Sequence, residues 1–187
     1  MLSKKDGDYL IKIAKKAISE YVINNHKIDV PKDCPEYLKE NLGVFVTLNE
    51  NKNLRGCIGY PEPIMPLIHA VIDVGISAAT ADPRFPKLQE DELGEIDIEV
   101  TVLTKPEIIQ VSNSHEYPEK IAIGEDGLII EKGFYKGLLL PQVATEHDMD
   151  SEEFLSNTCM KAGLDYSCWL NDDVKIYSFQ GQIFKEE

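Results

Sequence analysis

Residues 66–81 restrict the fold more than any other segment, because the helix that they predict is apolar on almost every side. Pro66 suits the first turn of a helix. The apolar positions that follow it are Leu67, Ile68, Ala70, Val71, Ile72, Val74, Ile76, Ala78 and Ala79. A helix that is apolar all round must be buried, and its small residues would let a sheet approach closely. We therefore expect this helix to lie inside a core that other elements cover.

The covering elements are predicted from apolar runs with strand spacing and from amphipathic helices. Val44–Leu48 and Leu54–Tyr60 flank a polar link at residues 49–53 and predict an antiparallel hairpin. Further strands are predicted at 96–103, 128–131, 138–140 and 174–184, and helices at 3–25, capped by Ser3, and 151–162, capped by Ser151. Strands in meanders with separated helices favour an α+β fold, with a mostly antiparallel sheet flanked by helices.

The second strand of this hairpin contains the sequence LRGCIG at residues 54–59. Strand alternation places Arg55, Cys57 and Gly59 on one face. The other face, expected to meet the core, holds Leu54, Gly56, Ile58 and Tyr60. Glycines on both sides of a cysteine suggest a bulge or a close backbone approach, and a nearby guanidinium would favour the thiolate. The pattern is typical of a reactive or ligand-binding cysteine and equally of a small buried hydrophobic residue on a strand.

Arginine is rare in this chain, since Arg55 and Arg84 are the two arginines among 19 basic residues and the rest are lysine. Arginine is required where its planar fork must match a carboxylate or a phosphate. If both arginines serve one ligand, Arg84 should approach the face that carries Arg55 and Cys57. An acid, Asp82 or Glu99, is then expected between the two guanidinium groups. The alternative is a lysine-biased genome that left two arginines by accident.

The hexapeptide LRGCIG resembles the signature of the AMMECR family. The resemblance continues in collinear order through residues 43–48, 82–86, 96–100, 127–130, 137–144 and 180–184. It implies one AMMECR-type domain over residues 1–187, built as interleaved lobes: a larger one from both chain ends and a smaller inserted one. The family has no settled biochemical activity to carry over. The resemblance also implies a pathway or complex shared with a Memo-like protein and a radical-SAM enzyme.

Charge and composition narrow the range of partners. The net charge of −14 argues against a nucleic-acid surface and against docking on anionic lipid. The chain has no apolar run of about 18 residues and no apolar stretch of a secretory signal near Met1, so we expect no membrane span and a cytoplasmic location. Its four cysteines, at 34, 57, 159 and 168, lack metal-site spacing. We therefore expect reduced thiols and no metal, and the sequence leaves the cofactor open.

Cys57 is the candidate catalytic residue. The candidate ligand-binding residues are Arg55, Gly56, Gly59, Arg84, Gln142 and Glu146. His69 would supply a base for a cysteine nucleophile, although a structural pair with Asp73 is the favoured interpretation.

Two functions remain open. One is an enzyme or enzyme component that binds a small anionic or carbonyl-bearing group near Cys57. The other is a non-catalytic adaptor that docks a protein partner through the LRGCIG face. A cleft converging on Cys57 would favour the enzyme, and a broad flat face would favour the adaptor.

Overall fold

The computed structural model describes residues 2–186 and divides the chain into two compact units. The first takes in the chain up to Thr104 and again from Gln182, and the second is Lys105–Gly181. The second unit is therefore an insertion in the first. Helices combine with antiparallel strands, so the prediction of an α+β fold with a smaller inserted lobe is confirmed.

The first unit combines α-helices with an antiparallel sheet. Its elements are α1 (Lys4–Asn24), β1 (Val44–Glu50), β2 (Asn53–Tyr60), α2 (Leu67–Thr80) and β3 (Ile96–Leu103), with 3-10 helices at Glu36–Lys39 and Glu90–Gly94. β1 lies between β2 and β3 and pairs antiparallel with both. β2 stands at one end of the strand order, so within residues 2–186 no further strand pairs with its outer edge.

The hairpin of β1 and β2 is tighter than the five-residue link expected from the sequence. Glu50 pairs with Asn53, so the turn consists of Asn51 and Lys52 alone. Both turn residues have positive φ, of 50° and 66°. Two-residue turns of this handedness match the twist of the flanking strands. The strands therefore extend further into the polar link than their apolar runs indicated.

The core of the first unit explains why most of the surface of α2 is apolar. One of its sides packs on β1 and β2, and another packs on α1. The two helices pass each other at Gly75, where a Cβ would be in ordinary van der Waals contact, 3.7 Å from Ile18 and 3.8 Å from Ala14. The sheet contributes Val46 and Val100, both fully buried, to the same core. The prediction of a buried helix against a sheet is confirmed.

The second unit has its own sheet and core. Its elements are β4 (Glu107–Ile108), β5 (Asp126–Lys132), β6 (Tyr135–Leu139), α3 (Pro141–Glu146), α4 (Ser151–Lys161) and β7 (Lys175–Lys185), with 3-10 helices at Ser114–Lys120 and Cys168–Leu170. β5 pairs antiparallel with β6 and β7, and β4 pairs with β7. β7 continues into the first unit from residue 182. Phe154 and Leu155 on α4 are fully buried in this second core.

Two predictions for this unit were wrong. Cys159 and Cys168 form a disulfide instead of reduced thiols, because the last turn of α4 packs beside the 3-10 helix that begins at Cys168. The helix cap is also one residue earlier than expected. Asp150 caps α4 through a reciprocal bond with Glu153, and Ser151 is the first helical residue. An ionised aspartate is at least as good an N-cap as serine, and its charge suits the helix N-terminus.

Candidate functional site

A β-bulge shapes the part of β2 that carries the candidate cysteine. Leu48 pairs with Gly56 while Asn49 pairs with Leu54, so Arg55 has no partner on β1. Upstream of this extra residue the strand faces reverse, and Leu54 is 42% exposed. The prediction that Leu54 faces the core was wrong for this reason. The bulge itself agrees with what the glycines around Cys57 indicated.

Both glycines of the hexapeptide sit where a side chain would not fit. A Cβ at Gly56 would lie 2.3 Å from the backbone oxygen of Ala78, near the end of α2. A Cβ at Gly59 would lie 2.3 Å from the ring of Phe45 on β1. Gly56 therefore lets β2 approach the helix, and Gly59 makes room for an aromatic ring on the face that carries Cys57.

Cys57 is held by contacts on two sides. Across the hairpin its partner is Thr47, whose hydroxyl donates to the sulfur with an Oγ1–Sγ distance of 3.2 Å. At the outer edge of β2, the backbone N–H of Cys57 donates to Asp82 Oδ2 at 2.9 Å, and its carbonyl accepts from Arg84 Nη2 at 3.2 Å. The side chains of one loop thus occupy the two backbone positions that a neighbouring strand would fill.

Asp82 is the centre of this loop. Its side chain is only 2% exposed. Besides the Cys57 amide, it accepts from three groups of Arg84: the backbone N–H and Nε, both at 3.0 Å, and Nη2 at 2.8 Å. These bonds, the guanidinium bonds first, hold the pKa of Asp82 well below its ordinary value despite burial. The carboxylate is therefore charged and fixed at any physiological pH.

Arg84 is fixed on one edge and open on the other. Nε and Nη2 bond Asp82, Nη2 also reaches the Cys57 carbonyl, and the guanidinium carbon lies 5.5 Å from the centre of the Phe85 ring. Within residues 2–186, Nη1 has no hydrogen-bond partner, and the side chain is 53% exposed. Arg84 thus offers two N–H donors next to Cys57 from a guanidinium whose orientation is already set.

All three side-chain nitrogens of Arg55 bond other groups of the protein. Its Nε and Nη2 bond the two carboxylate oxygens of Glu92 at 2.8 and 3.1 Å, and its Nη1 donates to the Pro86 carbonyl at 3.0 Å. The side chain is 10% exposed. The guanidinium bonds lower the pKa of Glu92. Arg55 therefore ties β2 to the far end of the loop that begins at Asp82.

The ion pairs of the two arginines confirm only part of the prediction that an acid lies between them. Asp82 does neutralise Arg84, and Arg84 does approach Cys57, as the sequence predicted. Arg55, however, pairs with Glu92 and not with an acid shared by both arginines. Glu99 lies on β3 and pairs with Lys185 at 2.9 Å.

Comparison with known proteins identifies the family. The AMMECR1 family model matches residues 11–184. The chain belongs to the AMMECR1 family. A protein of Methanothermobacter thermautotrophicus is 53% identical over 186 residues, covering 100% of this chain and 97% of the relative. One from Thermococcus gammatolerans is also 53% identical, covering 97% and 90%. The crystal structure of the uncharacterized protein PH0010 from Pyrococcus horikoshii matches with a TM-score of 0.84 and 49% identity, over 100% of this chain and 94% of that one.

The remaining candidate residues of this AMMECR1-family protein belong to elements other than β2 and the loop that begins at Asp82. Gln142 and Glu146 are exposed residues of α3 in the second unit, and a contribution from either to the Cys57 site stays a prediction. The predicted pair of His69 and Asp73 was wrong. His69 is exposed, whereas Asp73 accepts from the Tyr60 hydroxyl at 2.9 Å and pairs with a lysine.

Sequence reasoning missed Thr47 and Glu92. Thr47 is a polar residue at an outward position of an apolar strand, and this position could have marked it as a candidate. Its alignment with Cys57, however, depends on the bulge in β2. Glu92 is one of several acids near Arg84 in sequence, and nothing in the sequence separates it from Glu90 or Asp91.

Other candidate sites of this AMMECR1-family protein are limited. Within residues 2–186, no cluster of histidine, cysteine and acidic side chains could hold a metal ion. No helix in that range is long and apolar enough to cross a membrane. A concavity of about 340 Å³ lies between α1 and the chain end, lined by Asp8, Ile11, Lys12, Lys15, Lys185 and Glu186. Cys57 is not part of it.

Proposed function

We propose that this AMMECR1-family protein is an enzyme, or a component of one, that holds a small molecule by an anionic or carbonyl group next to Cys57. The observation that carries the proposal is the Arg84 guanidinium, which bonds the backbone carbonyl of the half-buried Cys57 through Nη2 and, within residues 2–186, leaves Nη1 without a hydrogen-bond partner. A guanidinium whose orientation is already fixed loses little conformational entropy when it binds a carboxylate or carbonyl oxygen. The bound group would then lie close to the sulfur.

Four more of the predicted site residues have a role in this proposal. Cys57 acts as nucleophile or as ligand to the bound molecule. Arg55 supports the site by tying the loop to β2, since its nitrogens bond Glu92 and Pro86. Gly56 and Gly59 set how closely α2 and the Phe45 ring approach the strand.

The setting of this activity is also part of the proposal. A cytoplasmic location and a pathway shared with Memo-like and radical-SAM proteins rest on the sequence and on the resemblance. The absence of a nucleic-acid partner rests on the net charge of −14.

A protein-docking adaptor is the second candidate function. Leu54 precedes Cys57 in the chain and Ile64 follows it. The two residues are 42% and 61% exposed and would suit an apolar partner. Pairing of a partner strand with β2 at Cys57 is disfavoured, however, because Asp82 and Arg84 already fill those backbone positions. An adaptor would therefore have to use side chains and not strand addition.

Two alkylating reagents that differ in charge test the role of Arg84. Iodoacetate carries a carboxylate and iodoacetamide does not, so the ratio of their rates at Cys57 measures attraction of an anion to the site. We expect Arg84→Gln to lower this ratio at least about fivefold, as loss of one charged hydrogen bond implies. The rates are read by mass spectrometry of the Cys57 peptide.

Lys87→Gln is the matched control, since Lys87 is an exposed cation in the same loop region. It removes one positive charge and should leave the ratio within about twofold, as expected for a screened surface charge. If both variants change the ratio equally, Arg84 acts only through general charge and the proposed anion site is refuted. If neither reagent modifies native Cys57, the sulfur is inaccessible and the enzyme proposal falls.

A further inference from the structure

We propose that Thr47 is a positioning residue for Cys57, whose hydroxyl supports negative charge on the sulfur. The inference rests on the proposed function, in which that sulfur reacts with or ligates a small molecule. It assigns a role to a strand residue that contacts Cys57 directly, with an Oγ1–Sγ distance of 3.2 Å.

The backbone fixes this contact from both sides of β2. Thr47 and Cys57 face each other across the hairpin, and the Cys57 N–H and C=O point outward to Asp82 and Arg84. The two residues are therefore a non-hydrogen-bonded pair of the antiparallel ladder, the kind in which side chains lie closest. Since Thr is β-branched, few χ1 rotamers are open to it on a strand, and the hydroxyl stays near the sulfur.

The residue opposite Thr47 on β3 has a different partner. Glu99 lies opposite Thr47 on β3, but its carboxylate is paired with Lys185. Within residues 2–186, the hydrogen bond that the Thr47 hydroxyl donates goes to the Cys57 sulfur.

The charged groups around Cys57 are already balanced. Arg84 is paired with Asp82, Arg55 with Glu92, and Glu99 on the flanking strand with its lysine. The described bonds of the two guanidinium groups go to Glu92, Pro86, Asp82 and the Cys57 carbonyl, and none of them reaches the Cys57 sulfur. A directed hydrogen bond from a neutral hydroxyl favours the charged acceptor without needing any net charge. This makes the threonine a specific means of activating the sulfur.

The test compares Thr47→Val, which keeps the shape and removes the hydroxyl, with Thr47→Ser, which keeps the hydroxyl. Iodoacetamide is used because it is neutral and does not depend on Arg84. At about pH 7 we expect Thr47→Val to slow alkylation of Cys57 about tenfold, the effect of one hydrogen bond to a charged group. At about pH 10, where thiols are mostly ionised, the difference should shrink to within about twofold. Thr47→Ser should stay close to the unmodified protein.

Thr101→Val is the matched control. Thr101 is a half-buried threonine on β3, and it pairs with Phe45 and not with Thr47. It should not change the rate at either pH. Thr47→Ala repeats the hydroxyl deletion in case the valine variant does not fold, and far-UV circular dichroism at both pH values verifies the fold.

Slowing by the same factor at both pH values would show that Thr47 controls access only, and would overturn the inference. An unchanged rate in Thr47→Val would overturn it as well. The outcome is separable from that of the proposed function, because the iodoacetate-to-iodoacetamide ratio depends on Arg84 and should not respond to Thr47→Val.

Discussion

Replacing Asp82 by asparagine should destabilise the first unit far more than an ordinary surface substitution. Asp82 accepts hydrogen bonds from the Cys57 amide and from three groups of Arg84 while its side chain is 2% exposed. Asparagine keeps one carbonyl oxygen and replaces the other with an NH2 group. That group would face N–H donors, so at least two of the four bonds are lost and a repulsive contact replaces them.

The magnitude follows from the exposure of the two partners. Removing one member of a fully buried ion pair costs about 3–5 kcal/mol because the other charge is left without a partner. Here Asp82 is buried but Arg84 is 53% exposed, so water can solvate the guanidinium after the substitution. The cost should therefore fall at the lower end, at about 3 kcal/mol. The backbone amide of Cys57 also loses its partner, which disturbs the edge of β2.

Denaturant unfolding followed by far-UV circular dichroism measures the loss, because α1 and α2 both belong to the first unit. Trp169, the single tryptophan, lies in the second unit and its fluorescence reports that unit separately. Asp91→Asn is the control, since Asp91 is an exposed acid of the neighbouring 3-10 helix. We expect a change within about 0.5 kcal/mol for that variant.

The pH dependence gives an independent check on the same carboxylate. Because folding lowers the pKa of Asp82 from its ordinary 3.8, its contribution is fully present above that value and is lost as pH falls toward the folded-state pKa. The difference in stability between the two proteins should thus be constant from about pH 5 to 8 and shrink below about pH 4. A loss under about 1 kcal/mol, or a difference independent of pH in the acid range, would refute the role assigned to Asp82.

Two further predictions concern packing and the disulfide. Gly56→Ala should cost about 2 kcal/mol in unfolding free energy, because its Cβ would lie 2.3 Å from a backbone oxygen of α2, while Gly94→Ala, with nothing within 4 Å, should be nearly neutral. Equal effects would contradict the close approach. Reduction of the Cys159–Cys168 bond should lower the stability of the second unit by about 2–3 kcal/mol, measured by Trp169 fluorescence. A variant with alanine at both positions should not respond to the reductant, and a response would show that the effect arises elsewhere.

The sequence predicted the fold to the extent that local patterns determine it. α1 with its Ser3 cap, the buried α2 and the antiparallel hairpin follow from periodicity, capping and chain polarity. Features that depend on distant packing did not follow. The Cys159–Cys168 bond requires the end of α4 and a later 3-10 helix to meet, and a spacing of nine residues carries no signal for that.

At the candidate site, too, some features were predictable from the sequence and others were not. Arg84 next to Cys57, with Asp82 as its acid, was predictable because the loop is short and starts at the end of a helix that returns along the hairpin. The partner of Arg55 and the outward turn of Leu54 were not, because both depend on one extra residue in β2. A single bulge reverses the strand faces upstream of it, and sequence alternation alone cannot locate it to one residue.

Both arginines of this chain lie where a planar guanidinium group is needed. Each binds the two oxygens of a carboxylate through Nε and Nη2, a geometry that the single ammonium of lysine cannot reproduce. The rarity of arginine therefore did indicate where a planar fork is needed. It did not indicate whether the carboxylate is the protein's own or a ligand's. For Arg55 the internal partners account for every side-chain nitrogen, whereas the partners of Arg84 within residues 2–186 leave Nη1 unused on a side chain that is 53% exposed. That difference in unused donors is the reason to seek the ligand at Arg84.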